Sequence, residues 1–146
     1  MKASEGVWLR MTRVLPAPRE EVWRALSDPG MVPEWFGPKG FSTPGVEFEP
    51  QVGESFRIVM QPPDGEAFHL DGEFREVEAP SRLSYTFVWD PPHVDDRETV
   101  VTLSLEDRGD QTDVGLRQGE FATAERLELH RDGWTDSFDR LEELLG

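Results

Sequence analysis

The sequence predicts an α+β fold in which a curved, seven-stranded antiparallel sheet wraps round a long C-terminal helix, with two short helices after the first strand. Apolar and polar residues alternate from Phe41 to Phe121, which is typical of strands with one buried and one solvated face. After Thr123 the apolar residues recur at helical spacing instead. Proline-flanked segments before Phe41 carry helix signals. This order of elements predicts a cavity between the sheet and the last helix.

The first strand is predicted across Val7–Leu15, where β-branched and large apolar residues are interrupted by arginines. Pro18 suits the first position of a helix, because its fixed φ fits there and its missing N–H would be unpaired anyway. We expect this helix to stop near Ser27. Asp28-Pro29 then predicts an N-cap and the start of a second short helix, which Gly37-Pro38 ends.

The central segment predicts the remaining strands. Turn signals at 62–65, 79–81 and 107–110 separate its apolar alternations. The residues predicted to face inward are Val46, Phe48, Phe56, Ile58, Met60, Phe68, Leu70, Gly72, Phe74, Leu83, Tyr85, Phe87, Trp89, Val101, Leu103, Leu105, Val114 and Leu116. The intervening residues are mostly charged or polar, so the opposite face is expected to meet solvent.

The last helix is predicted from Thr123, a suitable N-cap, to Leu145. A helix of about 22 residues spans roughly 33 Å, long enough to cross a whole sheet. Gly133 inside it costs about 1 kcal/mol relative to alanine, so we expect it to permit a close approach or a bend. The apolar stripe on this helix is Leu127, Trp134, Phe138, Leu141 and Leu145.

Length and composition limit the class of protein. The 146 residues fit a single domain, 1–146, and the absence of cysteine excludes disulfides, thiolate metal sites and cysteine nucleophiles. Thirty acidic against fifteen basic residues give a formal net charge of −15. Such a surface repels nucleic acid and anionic membranes, so neither is an expected partner. It serves solubility or attracts a basic protein partner.

The N-terminal residues contain no apolar run. Met1–Gly6 lead into Val7-Trp8-Leu9-Arg10, where charges interrupt the apolar residues. No signal peptide or membrane span is predicted, and we expect a cytoplasmic protein.

A set of short motifs extends from about residue 7 to 145. The motifs are Ala17-Pro18, Val22-Trp23-x-Ala25-Leu26-x-Asp28-Pro29, Trp35-Phe36-Gly37-Pro38-Lys39-Gly40-Phe41, Gly53-x-x-Phe56-Arg57, Asp64-Gly65, Gly72-x-Phe74-x-Glu76-Val77-x-x-Pro80-x-x-Leu83, Gly109-x-x-Thr112 and His130-x-x-Gly133-Trp134. In this order and spacing the chain resembles the START/birch-pollen-allergen-like (SRPBCC) superfamily. Within it, the chain is most similar to bacterial homologues of the activator of heat-shock-protein ATPase. The resemblance implies the helix-grip fold, and one START-like domain.

The resemblance leaves several functions open, because the superfamily includes lipid and hormone carriers, polyketide cyclases and dehydratases, and chaperone activators. Fold alone does not fix function. The eukaryotic activators carry a further domain that this sequence does not show, which weakens the expectation of ATPase activation.

Aromatic residues are the candidate ligand contacts. Trp35 and Phe36 end the second short helix, where the family's cavity usually opens, and act either as a gate over a ligand or as plugs against the sheet. The inner-face aromatics either line a pocket or fill it. The full predicted set is Trp35, Phe36, Phe56, Met60, Phe68, Phe74, Phe87, Trp89, Trp134 and Phe138.

The histidines and carboxylates give no catalytic or metal motif. His69 alternates with apolar neighbours and is expected to point outward, and His93 stands in an acidic loop without the spaced ligands of a cation site. His130 is predicted to make a structural hydrogen bond rather than to transfer protons. Since no nucleophile-elbow, zinc, P-loop or dinucleotide motif is present, we predict no metal and no cofactor, and favour a non-enzyme.

Three functions therefore remain. The first is a protein that binds an apolar or aromatic small molecule between the sheet and the last helix. The second is a polyketide cyclase-like or dehydratase-like enzyme, which needs polar groups converging inside the cavity. The third is a chaperone-activator-like module that meets a protein partner.

Trp134 provides a test of whether the inner face is a core or a pocket. Its indole is predicted to face the sheet, so Trp134→Ala should cost about 3–5 kcal/mol of unfolding free energy if the site is solidly packed. If Trp134 lines a cavity, the loss should be smaller and uptake of an apolar fluorescent probe should change. Melting and probe binding measured on one variant separate the two. An exposed indole with neither property altered would contradict the predicted helix register.

Overall fold

Seven strands form one antiparallel sheet, and a long C-terminal helix packs against it. The computed structural model describes residues 7–146. In chain order the elements are β1 (Val7–Leu15), α1 (Arg19–Ser27), α2 (Val32–Trp35), β2 (Ser42–Glu47), β3 (Ser55–Gln61), β4 (Phe68–Glu78), β5 (Arg82–Asp90), β6 (Thr99–Arg108), β7 (Gln111–Phe121) and α3 (Ala124–Leu145). The predicted α+β helix-grip arrangement is confirmed.

The strand order places the first and last of the described strands side by side. It runs β1-β7-β6-β5-β4-β3-β2, so β1 and β2 are the edges. β1 pairs with β7, with Leu15 opposite Thr112. Because α3 follows β7 directly, it packs on β1 and β7 and against α2. The other half of the inner face, from β3 to β5, lies beyond this contact.

The inner face of the sheet is the hydrophobic core. Alternate residues are buried along β6 at Val101, Leu103 and Leu105, and along β7 at Val114 and Leu116. β2 is shorter than the alternation suggested, because it ends at Glu47 and the buried Phe48 follows it.

The second short helix begins later than the sequence predicted. Asp28 does not cap it: this residue ends α1, and its side chain accepts a hydrogen bond from the Gly30 backbone N–H at 2.8 Å. Aspartate commonly bonds to backbone two residues onward, which forms a turn instead of a helix start. The helix is then only the four residues Val32–Trp35, with a proline in its first turn.

The predicted limits of α3 agree with the structure. The Thr123 hydroxyl accepts a hydrogen bond from the Arg126 backbone N–H at 3.1 Å, as an N-cap should. Leu127, Trp134, Phe138 and Leu141 are buried along one stripe. The helix therefore presents its apolar stripe to the core.

Within residues 7–146, none of the helices has the length and apolar character needed to cross a bilayer. The expectation that no leader precedes the first strand concerns Met1–Gly6, which are outside the described residues.

Gly72 on β4 gives a test of the sheet's packing. It lies opposite Phe56 on β3, and a Cβ added there would overlap the Thr86 carbonyl oxygen and the Phe56 ring. Gly72→Ala should therefore lower the free energy of unfolding by about 1–3 kcal/mol, the usual cost of overpacking. Gly115→Ala on β7 is the matched control, because a Cβ there has no neighbour within 4 Å. Urea denaturation should place the control within about 0.5 kcal/mol of wild type. Equal losses in the two variants would contradict this account.

Candidate ligand-binding cavity

A cavity of about 520 Å³ lies between α3 and the β3–β5 half of the sheet. It reaches the surface, because its rim carries the exposed residues Ala67, His93 and Leu129. Five groups of residues form it: β3–β5, the β3–β4 loop, the loop after α2, the β5–β6 loop, and one face of α3. Its lining is Phe36, Gly37, Pro38, Phe41, Met60, Glu66, Ala67, Phe68, Phe87, Trp89, Pro91, His93, Asp96, Arg126, Leu129, His130, Gly133, Trp134 and Ser137.

The two aromatic residues at the end of α2 have different roles. Trp35 is 2% exposed, and its indole N–H donates to the Ala25 carbonyl at 2.7 Å, so it joins α2 to α1. Phe36 lines the cavity and meets the Trp134 ring edge-on, with 5.9 Å between centroids. Trp35 therefore belongs to the packed core between the short helices and the sheet, and Phe36 belongs to the cavity wall.

Polar groups on α3 hold the loop after α2 in place. The Ser137 hydroxyl accepts from the Gly37 N–H at 2.9 Å. The Arg140 guanidinium donates to the carbonyls of Phe36 and Glu34 at 3.1 and 3.3 Å. These bonds satisfy carbonyls that a short helix leaves unpaired at its C-terminus. They also fix Phe36 relative to α3.

A buried hydrogen-bond chain joins α3 to the sheet. The Trp134 indole N–H donates to Gln118 Oε1 at 2.8 Å, and Gln118 Nε2 donates to Thr99 Oγ1 at 3.0 Å. Gln118 is completely buried, so these partners replace water. The bonds set the depth and rotation of α3. Trp134 consequently packs against the core on one side and lines the cavity on the other.

His130 is held by both ring nitrogens. Nε2 lies 2.9 Å from the Trp89 indole nitrogen, and Nδ1 lies 2.7 Å from the Arg126 carbonyl oxygen. An indole N–H can only donate and a carbonyl can only accept, so the imidazole is neutral with its proton on Nδ1. Burial lowers the pKa of His130 below its usual value, and the positive charge of Arg126 acts in the same direction. The hydrogen bond to the carbonyl and the charge of Asp96 oppose this shift more weakly than burial favours it.

An ion pair ties the β5–β6 loop to α3. Asp96 Oδ1 accepts from Arg126 Nη2 at 2.7 Å and from Nε at 3.0 Å. Its other oxygen accepts from the His93 backbone N–H at 2.7 Å. The Asp96 and Arg126 side chains are only 8% and 13% exposed. The loop is therefore anchored, and the pair forms part of the cavity wall.

Six of the ten predicted contact residues line the cavity. They are Phe36, Met60, Phe68, Phe87, Trp89 and Trp134.

The other four predicted residues, Trp35, Phe56, Phe74 and Phe138, are not part of this cavity's lining. Phe56 and Phe74 pack with Phe48 and Tyr85, with ring centroids 5.0–5.3 Å apart in their closest pairs. Because Gly72 has no side chain, the Phe56 ring lies over it. Phe138 is fully buried beside Trp134, one turn farther along α3.

Sequence reasoning missed the polar and small residues of the wall. Arg126, Leu129, Gly133 and Ser137 lie at helical spacing on the face of α3 beside its apolar stripe. Gly133 does not serve a close approach, because an added Cβ would meet only Pro38, at 4.0 Å. A glycine and a serine on the face next to an apolar stripe were the available signal.

The remaining histidines of the described chain are His93 and His69. His93 lies at the cavity rim, with Nδ1 accepting from the Asp95 N–H at 3.1 Å. His69 on β4 is not in the cavity lining. In the part of the chain that the structure describes, no three histidine or carboxylate side chains converge as metal ligands would.

The strand order, the long final helix and the cavity between helix and sheet define a helix-grip protein of the SRPBCC type. Residues 16–146 match the sequence model of the family described as Activator of Hsp90 ATPase homolog 1-like protein. The chain belongs to that family. No curated protein matches it significantly.

Several solved structures share this fold. Protein CV1439 from Chromobacterium violaceum is 27% identical, with a TM-score of 0.86 over 94% of this chain and 96% of that one. The AHSA1 protein from Silicibacter pomeroyi is 25% identical, with a TM-score of 0.84 over 95% and 97%. DynU16, from the dynemicin biosynthetic locus, is 25% identical with a TM-score of 0.77, over 97% of this chain and 48% of its own.

The lowered pKa of His130 predicts a specific pH dependence of stability. The unfolded chain takes up this proton near the ordinary pKa of about 6.5, whereas the folded chain does so only at lower pH. The contribution of His130 to the unfolding free energy should therefore be constant above about pH 6.5 and fall below it, by at most about 1.4 kcal/mol per pH unit. Urea denaturation from pH 8 to 5 should show a flatter profile for His130→Gln than for wild type. Parallel profiles would refute the assignment of this slope to His130.

Proposed function

We propose that the chain binds an apolar or aromatic small molecule in the cavity between β3–β5 and α3. The observation that carries this is the cavity itself, about 520 Å³ and walled by the rings of Phe36, Phe68, Phe87 and Trp89. Small-molecule sites typically have volumes of about 300–1,000 Å³ and mostly apolar linings with a few placed polar groups. An apolar guest gains free energy here by leaving water.

The state of the wall's polar atoms supports binding through apolar contact. His130 has both nitrogens engaged, and Asp96 and Arg126 bond to each other. The Trp134 N–H is directed to Gln118 and away from the cavity space. These groups are already satisfied within the protein, so the surface left for a guest consists mainly of ring faces and edges.

Catalysis on a cyclic substrate is the second candidate, favoured by the presence of Asp96 and His130 in one wall. General acid–base catalysis needs a nitrogen or oxygen within hydrogen-bond reach of the substrate proton. His130 would first have to release Trp89 or the Arg126 carbonyl. The likeness to DynU16, from a biosynthetic locus, is one of fold and carries no residue role. Binding therefore has the stronger support.

A role as a protein-interaction module has weaker support than ligand binding. The family's description and the net charge of −15 fit an acidic surface that meets a basic partner. Solubility accounts for the same charge. Neither observation identifies a docking face.

Gly133 allows binding to be tested without damage to the core. It lines the cavity in the middle of α3, and the nearest atom to an added Cβ is Pro38 Cγ at 4.0 Å. Gly133→Phe should fill the space and weaken binding of the neutral fluorophore N-phenyl-1-naphthylamine at least about tenfold, the loss of roughly 1.4 kcal/mol of contact. Both Gly133→Phe and Gly133→Ala should keep or raise stability, because glycine costs up to about 1 kcal/mol in a helix interior.

Gly133→Ala is the matched control, and it should bind the fluorophore nearly as well as wild type. Fluorescence titration gives the affinities and thermal melting gives the stabilities. Equal binding by the phenylalanine variant would place the fluorophore elsewhere and count against the proposed site. Native mass spectrometry of protein purified from its own source cells would then identify a natural guest by its mass.

A further inference from the structure

The charged groups of the cavity wall are few and unevenly balanced. In the described lining they are the carboxylates of Glu66 and Asp96 and the guanidinium of Arg126. The imidazole of His130 is neutral, because both of its nitrogens are engaged and burial lowers its pKa. Two negative groups against one positive group give the lining a net negative charge. The chain as a whole carries a formal charge of −15, which adds a field of the same sign.

The one guanidinium in the lining is already committed. Arg126 directs Nε and Nη2 to the same oxygen of Asp96, at 3.0 and 2.7 Å. With side-chain exposures of 13% and 8%, the two residues are shielded from water. To bind an anionic guest, Arg126 would have to abandon Asp96, and the carboxylate would then remain buried without its partner. Breaking a buried pair in this way is strongly unfavourable.

An anion that entered the cavity would therefore lose its hydration and gain no free cation. An uncharged ring compound avoids this cost, since ring faces and edges are what the wall offers. Resting on the proposed function, we propose that the cavity selects uncharged ring compounds and rejects anionic ones such as fatty acids, aromatic carboxylates and sulfonates. The Asp96–Arg126 pair is the group that sets this selectivity.

Two fluorophores with one ring skeleton test the proposal. N-phenyl-1-naphthylamine is uncharged, and 1-anilinonaphthalene-8-sulfonate is the same molecule with one sulfonate added. At pH 8, where free imidazoles are neutral, and at low salt, wild type should bind the uncharged fluorophore at least about tenfold more tightly. A tenfold preference is about what one nearby like charge produces at an intermediate effective dielectric. High salt should reduce the difference by screening.

The response of the affinity ratio to substitution is decisive, because it cancels the intrinsic difference in hydrophobicity between the fluorophores. Asp96→Asn removes the partner of Arg126 and should strengthen sulfonate binding about tenfold relative to the neutral compound. Asp95→Asn is the matched control, since it removes the same charge from the same loop, lies outside the main cavity lining and leaves the Asp96–Arg126 pair intact. Its ratio should change much less. The double change Asp96→Asn with Arg126→Gln should return the ratio toward wild type.

The outcomes separate this proposal from the proposed function. If the sulfonate binds wild type as tightly as the neutral compound, or more tightly, the charge selectivity is overturned while binding stands. An equal shift of the ratio in the Asp95 and Asp96 variants also overturns it. If neither fluorophore binds wild type, the proposed function fails, and the selectivity fails with it. Circular dichroism of each variant confirms that the comparison is between folded proteins.

Discussion

The hydrogen bond from the Trp134 indole to Gln118 is the interaction on which the rest of the cavity depends. Gln118 lies on β7 beneath α3 and is fully buried, so its side-chain amide cannot reach solvent. Its amide must therefore be paired inside the protein, and it is paired with Trp134 and Thr99. This fixes where α3 lies on the sheet. Toward its C-terminus the helix packs solidly through Phe138 and Leu141, and toward its N-terminus it stands off and leaves space.

The aromatic residues on the inner face of the sheet fall into two sets. Near β2, the rings of Phe48, Phe56 and Phe74 pack against one another and fill the interior. At the start of β4 and the end of β5, Phe68 and Trp89 line the cavity, and the Trp89 indole N–H also reaches His130 on α3. The two sets share the same alternation and the same chemistry. They differ in whether another ring or the helix lies opposite.

The difference between packed rings and cavity-lining rings is where prediction from the sequence stops. Period-two alternation predicts the strands, and the final apolar stripe with Thr123 before it predicts α3 and its N-cap. These features depend on local spacing, which the sequence records directly. The prediction that Asp28 caps α2 is wrong, because the same aspartate can cap a helix or close a turn. Pro29 is compatible with both arrangements, so the sequence does not distinguish them. The split between Phe56 and Phe68 depends on contacts across the sheet, which spacing does not record. The pairing of Asp96 with Arg126 joins two elements distant in sequence, so neither residue alone signalled a wall.

The pairing of β1 with β7 has a consequence for how the protein is made. Among the strands of residues 7–146, β1 comes first in the chain and its partner β7 comes last. Their pairing can therefore form only when both ends of this run of strands are present, and α3, which packs on β1, follows β7 in the chain. Pairings between distant segments slow folding, since the loop that closes must first be ordered. Until β7 pairs with β1 and α3 packs on both, the aromatic wall of the cavity has no helix opposite it.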